Sequence, residues 1–275
     1  MKNEMMETRD SRYDLIWSIL LLLGSFSIAF NLAIACHELG HALVMVLDGV
    51  GIKEFHLNPF SWSWTFPESL NHALFTASGG ITFGLMFALL PLIGIIWIRS
   101  VYFRIPAFMT AGFAFSINGI YLIAGVFFRI GDGGELLQYG VSRVLIVTLG
   151  CLYLLISLLI LTAIQPVLGI KKVSSFQKRF LIWACGIIPY LLIMFLYNLF
   201  LNQKEVWLWF SFGLAGVLLV LLVSISGHFW ARVNRGLGEI NRSEAGWKPV
   251  VMILVLGLVI IIGELVVFGI KQNPF

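Results

Sequence analysis

Charged side chains are scarce in this chain: Asp, Glu, Lys and Arg make up 12% of its 275 residues, about half the share found in soluble domains. That shortage excludes an ordinary water-facing surface. Cysteine is scarcer still, with Cys36, Cys151 and Cys185 all set in apolar stretches. An odd number without regular spacing excludes a disulfide framework and a thiolate metal cluster, and the three read as small buried apolar residues. Basic tracts interleaved with aromatics are missing outside the apolar stretches, which argues against a nucleic-acid partner. Long loops are missing as well. The longest connection runs from Asp48 to Asn71, leaving no room for a separate soluble domain between apolar segments.

What remains is apolar: 59% of residues are hydrophobic and the mean hydropathy is +0.95. A run of about 20 such residues crosses a hydrocarbon core about 30 Å thick. By that measure the chain is an all-α, polytopic transmembrane helix bundle of about seven spans. They read Leu15 to Leu47, His72 to Ile98, Ile105 to Phe128, Val144 to Ile164, Phe180 to Leu201, Val206 to Trp230 and Val250 to Ile270. The lipid bilayer is therefore the first expected partner. The first run is too long for a signal-peptide core and no small-residue cleavage site follows it, so it is expected to stay in place behind a short tail, residues 1–14.

Between the first two spans, Ile52 to Leu57 and Ser61 to Phe66 alternate around Asn58-Pro59, the signal of a short β-hairpin. Phe55, Phe60, Trp62, Trp64 and Phe66 suit a membrane interface; alternatively, the hairpin offers a strand edge to an extended substrate. Basic residues set orientation, since cytoplasmic loops carry the excess. With seven spans the N-terminal side holds 13 Lys and Arg and the other side 5. That asymmetry places the N-terminus in the cytoplasm and the end after His41 outside.

The segment Cys36-His37-Glu38-Leu39-Gly40-His41 places HExxH inside the first apolar helix. Residues four apart share a helix face, so His37 and His41 can turn imidazoles toward one zinc ion, with Glu38 beside it as general base. Zinc makes its water acidic, with a pKa of about 7, and polarises a carbonyl. On a soluble helix such a motif is often an accident of a solvated face. Within a span that account weakens, because an ionised group at mid-membrane costs roughly 2.5–3.5 kcal/mol on insertion scales, and a polar packing cluster is the plainer alternative to a metal site.

Catalytic zinc usually has three protein ligands. The third expected here is Asp132, in Gly131-Asp132-Gly133-Gly134-Glu135 between the third and fourth spans, where glycines let the chain bend at membrane depth in a protein-lined cavity. An ordinary Asp-Gly turn is the plainer account of that segment, and Glu135 is the neighbouring ligand candidate. Asn118 supports the site or a substrate backbone, or serves only as a packing amide.

Taken together, His37-Glu38-Leu39-Gly40-His41 and Asp132-Gly133-Gly134, which begins 95 residues after His37, resemble the site-2 protease family of intramembrane zinc metalloproteases. Gly79-Gly80 is similar to the small-residue packing of that family. The sequence departs from the pattern in two places: no proline stands between Pro106 and Asp132, and Gly131 replaces the usual Leu. The resemblance covers about residues 15–164 as a metalloprotease core, leaving 165–275 as three additional helices. It implies one Zn2+ per chain, a transmembrane protein substrate, and a zinc site near the cytoplasmic face, opposite to the reading from basic residues.

The expected function is an intramembrane zinc metalloendopeptidase, in the cell membrane, with Gly133, Gly134 and the hairpin edge placed where a substrate helix unwinds. The alternatives are a non-catalytic pseudoprotease or chaperone and, less favoured, a transporter. His56, His72 and His228 read as interface histidines. Glu264 reads as snorkelling toward the rim near Lys271, or as a proton relay.

Overall fold

A computed structural model of the chain describes residues 2–61, 63–68, 73–94, 101–165, 168, 175–201, 206–230 and 247–269. Helix α1 (Lys2–Leu47) leads into an antiparallel hairpin, β1 (Ile52–His56) and β2 (Trp64–Pro67). The next apolar segment is divided into α2 (Ala73–Gly79), a π-helical segment (Gly80–Gly84) and α3 (Leu85–Gly94). Then come α4 (Val101–Phe128), the short α5 (Gly131–Gln138), α6 (Arg143–Ala163), α7 (Phe176–Phe200), α8 (Val206–Trp230) and α9 (Lys248–Phe268).

Among the described residues, six helices are long and apolar enough to cross a membrane, the make-up of a multi-pass membrane protein. The remaining expected span is α8, whose apolar stretch Gly213–Ser226 is shorter than the others when only described side chains are counted. Eight of the 18 Lys and Arg behind the orientation reading, among them Lys171, Lys172, Arg232, Arg235 and Arg242, lie outside the described residues. His72, Trp62 and Lys271 also lie outside them, as does the side chain of His228.

Helix α1 is the axis of the bundle. The π segment, α2, α3, α4, α7, α9 and both strands all pack on it. Its core face carries Leu21, Leu22, Phe26 and Ala29, all fully buried. Phe26 meets Phe113 of α4 edge-on at 4.8 Å and Tyr190 of α7 at 5.3 Å. Without a water-driven force between helices in lipid, such close shape matching is what holds them together.

The closest approach is made by glycines. A Cβ on Gly84 would lie 2.6 Å from His37 Cα, and one on Gly79 would lie 3.0 Å from His41 Cα. Gly40 faces the same seam from α1, against Gly79 O and Gly84 N. The Gly80-Ile81-Thr82-Phe83-Gly84 segment thus lies backbone-to-backbone against the HExxH turn, as small residues four apart allow. The widened π turn sits where it adjoins the candidate site, a frequent location for such bulges.

Helix α4 stops at Phe128, where Arg129 takes φ +58° and Gly131 φ +53°. The left-handed turn reverses the chain so that α5 folds back on α4. There a Cβ on Gly125 would lie 2.7 Å from Gly133 Cα, and one on Gly133 would lie 2.5 Å from Leu122 O. Two glycines therefore set how deeply α5, and with it Asp132, sits in the bundle.

Of the cysteines, Cys36 and Cys185 are half-buried, but Cys151 is exposed on α6. That corrects the expectation that all three are buried: α6 has an outward face, and an apolar thiol there is compatible with lipid.

Candidate metal centre

His37, His41 and Asp132 converge although α1 and α5 are far apart in sequence, and their ligand atoms lie within 4.8 Å of one another. All three residues are buried, at 3%, 7% and 8% exposure, and so is Glu38 at 4%. His37 Nε2 lies 3.2 Å from Asp132 Oδ2, His41 Nε2 lies 3.4 Å from Asp132 Oδ1, and the two Nε2 atoms are 3.1 Å apart.

The hydrogen bonds behind the imidazoles fix what those atoms are. Asn118 donates its amide nitrogen to Ala114 O at 2.9 Å, so the atom it presents to His37 Nδ1, also at 2.9 Å, is its oxygen. His37 Nδ1 must therefore be the donor. His41 Nδ1 lies 2.6 Å from the carbonyl oxygen of Thr76 and must be a donor too. A neutral imidazole carries one proton, so both Nε2 atoms present lone pairs. Two lone-pair nitrogens and two carboxylate oxygens then face one another with no donor among them, and Asp132 Oδ2 is buried without a hydrogen-bond partner. A group of acceptors buried this way calls for a positive charge among them, either a proton on an imidazole, which would pair it with Asp132, or a metal ion. Imidazole and carboxylate together suit a divalent metal ion.

Gly80 leaves the space for it. A Cβ there would lie 2.5 Å from His41 Nε2 and 2.6 Å from His37 Cε1. The group could thus hold a metal ion, with Asn118 and the Thr76 carbonyl as the partners that orient its ligands. Tyr121 of α4 adds a wall, its ring edge-on to His37 at 5.3 Å. Replacing Asn118 by Ala is expected to weaken metal affinity about 10- to 100-fold, as loss of an outer partner usually does; competition with a chromogenic chelator reads the change.

Glu38 stands beside the ligand set but outside it. Its Oε2 accepts the hydroxyl proton of Thr65, on β2, at 2.8 Å. Glu135 on α5 is not one of the three grouped ligands. No family model, curated protein or solved structure matches this chain.

Other sequence candidates stand elsewhere. His56, at the end of β1, is fully buried and stacks on Trp64 at 4.2 Å, with Phe268 of α9 at 6.1 Å. Glu264 is half-buried on α9. Gly133 and Gly134 are buried in α5 and seat it against α4 and Arg129. Sequence reasoning passed over Thr65, Thr76, Gly80 as the floor of the site, and Gly84. Thr76 contributes through its backbone, which leaves no sequence signal. The GxxxG spacing of Gly80 and Gly84 was the signal available for the seam.

Proposed function

We propose that the protein is an intramembrane zinc metalloendopeptidase of the site-2 protease kind, acting in the cell membrane on a membrane-spanning substrate. One observation carries this reading: an acceptor-only cluster of His37, His41 and Asp132 lies inside an apolar bundle, with a hydrogen-bonded carboxylate, Glu38, beside it. When bound, the ion supplies Lewis acidity toward a peptide carbonyl and acidifies water.

The chain's own residues do the rest. His37 and His41 present Nε2 because Asn118 and the Thr76 carbonyl hold their Nδ1 protons. Glu38 takes a proton from the attacking water and returns it to the leaving amine. The glycine floor and the Tyr121 ring limit what enters. A helix shields its own carbonyls, so the substrate must be locally extended before it reaches Glu38. We place that extended segment along the hairpin, whose strand β2 already reaches the carboxylate. A purely structural metal site would have no use for Glu38, which weighs against a non-catalytic role.

The test uses purified protein in liposomes with single-span fluorogenic peptides whose central residues include Gly and Pro, so that the helix opens. Cleavage is expected, is abolished by a zinc chelator and returns when zinc is restored. Cleavage that survives complete metal removal would rule out the metalloprotease reading. Absence of any cleavage by the metal-loaded protein would favour a non-catalytic protein.

A further inference from the structure

We propose that Thr65 is a positioning residue for Glu38, and that α7 holds it in place by clamping the turn of the hairpin. The proposal rests on the reading of Glu38 as the general base. It assigns work to a helix beyond the region on which the HExxH and Asp-Gly-Gly motifs lie.

Thr65 is buried at 9% exposure, and its hydroxyl donates to Glu38 Oε2 at 2.8 Å while lying 3.3 Å from the Glu38 carbonyl oxygen. A β-branched side chain has little rotamer freedom. The direction of that hydroxyl is therefore set by where β2 lies. Thr65 pairs with Phe55 across the hairpin, but a two-stranded hairpin is marginal by itself, so something else must fix it.

The fixing groups are on α7. Tyr190 Oη donates to Pro59 O at 2.6 Å, and Asn198 Nδ2 donates to Phe60 O at 2.7 Å. Ser61 Oγ in turn donates to Asn198 Oδ1 at 2.7 Å. Asn198 is fully buried and Tyr190 is 3% exposed. Tyr190 is itself held to α1, where Asn31 Nδ2 donates to its oxygen at 2.9 Å. Three consecutive turn residues, Pro59, Phe60 and Ser61, are thus tied to one helix, the bonds of Pro59 and Ser61 being buried and that of Phe60 part-buried. Four residues beyond Ser61 the strand delivers its hydroxyl to Glu38. The chain of contacts runs from α7 through the turn and β2 to the carboxylate, and fixes both ends of the short segment that carries Thr65.

The experiment compares Thr65→Val, Thr65→Ser, Asn198→Leu and Glu38→Gln in metal-loaded protein in liposomes. Two measurements are made: cleavage of the same single-span peptides, and the infrared carboxylate band of Glu38, isolated by subtracting the Glu38→Gln spectrum under 13C-glutamate labelling. Thr65→Val is expected to shift that band and lower kcat about 10- to 100-fold, the worth of one hydrogen bond to a charged group, with KM and metal content kept. Thr65→Ser, which restores the hydroxyl, is expected to return both toward wild type. In the Glu38→Gln background Thr65→Val is expected to add nothing, since the two act as one unit.

Asn198→Leu is expected to raise amide hydrogen exchange across residues 52–67 and to shift the same band. An unmoved band in Thr65→Val overturns the positioning role, and failure of Thr65→Ser to restore it reduces Thr65 to packing. Unchanged hairpin exchange in Asn198→Leu overturns the clamp. If the wild-type protein cleaves nothing, the protease reading fails while the infrared and exchange arms still decide whether the contact and the clamp exist.

Discussion

Glu38→Gln is expected to leave the metal bound and the helices packed while cleavage falls by roughly 10²- to 10⁴-fold, the usual contribution of general acid–base catalysis. The substitution keeps the shape of the side chain and can still accept the Thr65 hydroxyl through its amide oxygen, so the hairpin contact at 2.8 Å need not be lost. What disappears is the ability to take up a proton. The ligand atoms of His37, His41 and Asp132 are untouched, so metal measured by mass spectrometry should stay at about one ion per chain, in line with a three-ligand site. A dead variant with full metal therefore places the defect in proton transfer. Undiminished cleavage of the single-span peptides would end the role given to Glu38.

The second large effect is on metal content. His37→Ala or His41→Ala should take the purified protein from about one zinc per chain to essentially none, because two remaining ligands do not make a tight site for zinc. Asp132→Asn should give an intermediate loss. The amide oxygen keeps its place on α5 but is neutral, and the buried charge that balances the ion is gone. Cleavage should follow occupancy in all three variants. Zinc retained at the wild-type level in both histidine variants would dismiss this triad as the ligand set.

How much of this was legible before the fold was known differs from residue to residue. The helices were legible because apolar runs in a chain this poor in charge have one use, and the ends of α4, α6, α7 and α9 fall close to where hydropathy changes. His37 and His41 were legible because a spacing of four on a helix is itself geometry. Asp132 was legible only as a candidate: glycines on both sides announce a bend, but nothing in them says that Gly133 docks against Leu122 and Gly125 and so turns α5 toward α1. Asn118 was open between packing and support, and its hydrogen bond to His37 at 2.9 Å is a long-range fact. The division of His72 to Ile98 by a π turn was invisible, since no charge and no break in the apolar run marks Gly80–Gly84. Thr65 looked like any strand threonine. Tyr190 and Asn198 looked like any polar residue in a span, because the Pro59 and Phe60 groups they meet are backbone carbonyls with no signature of their own.

The triad draws on α1 and α5, and 90 intervening residues lie between the second histidine and the aspartate. An ion bound there would act as a removable cross-link between the two ends of that stretch, and its free energy of binding would become free energy of folding. At a free concentration a thousand times the dissociation constant that linkage is worth about 4 kcal/mol, comparable with a disulfide. It also sets an order of events. At about 5–20 residues per second of synthesis, the histidine pair enters the membrane several seconds before its carboxylate exists, so the newborn first helix must wait with His37 and His41 lacking Asp132. The glycine seam against Gly79 and Gly84, which arrives well before Asp132, gives that helix a packing partner during the interval.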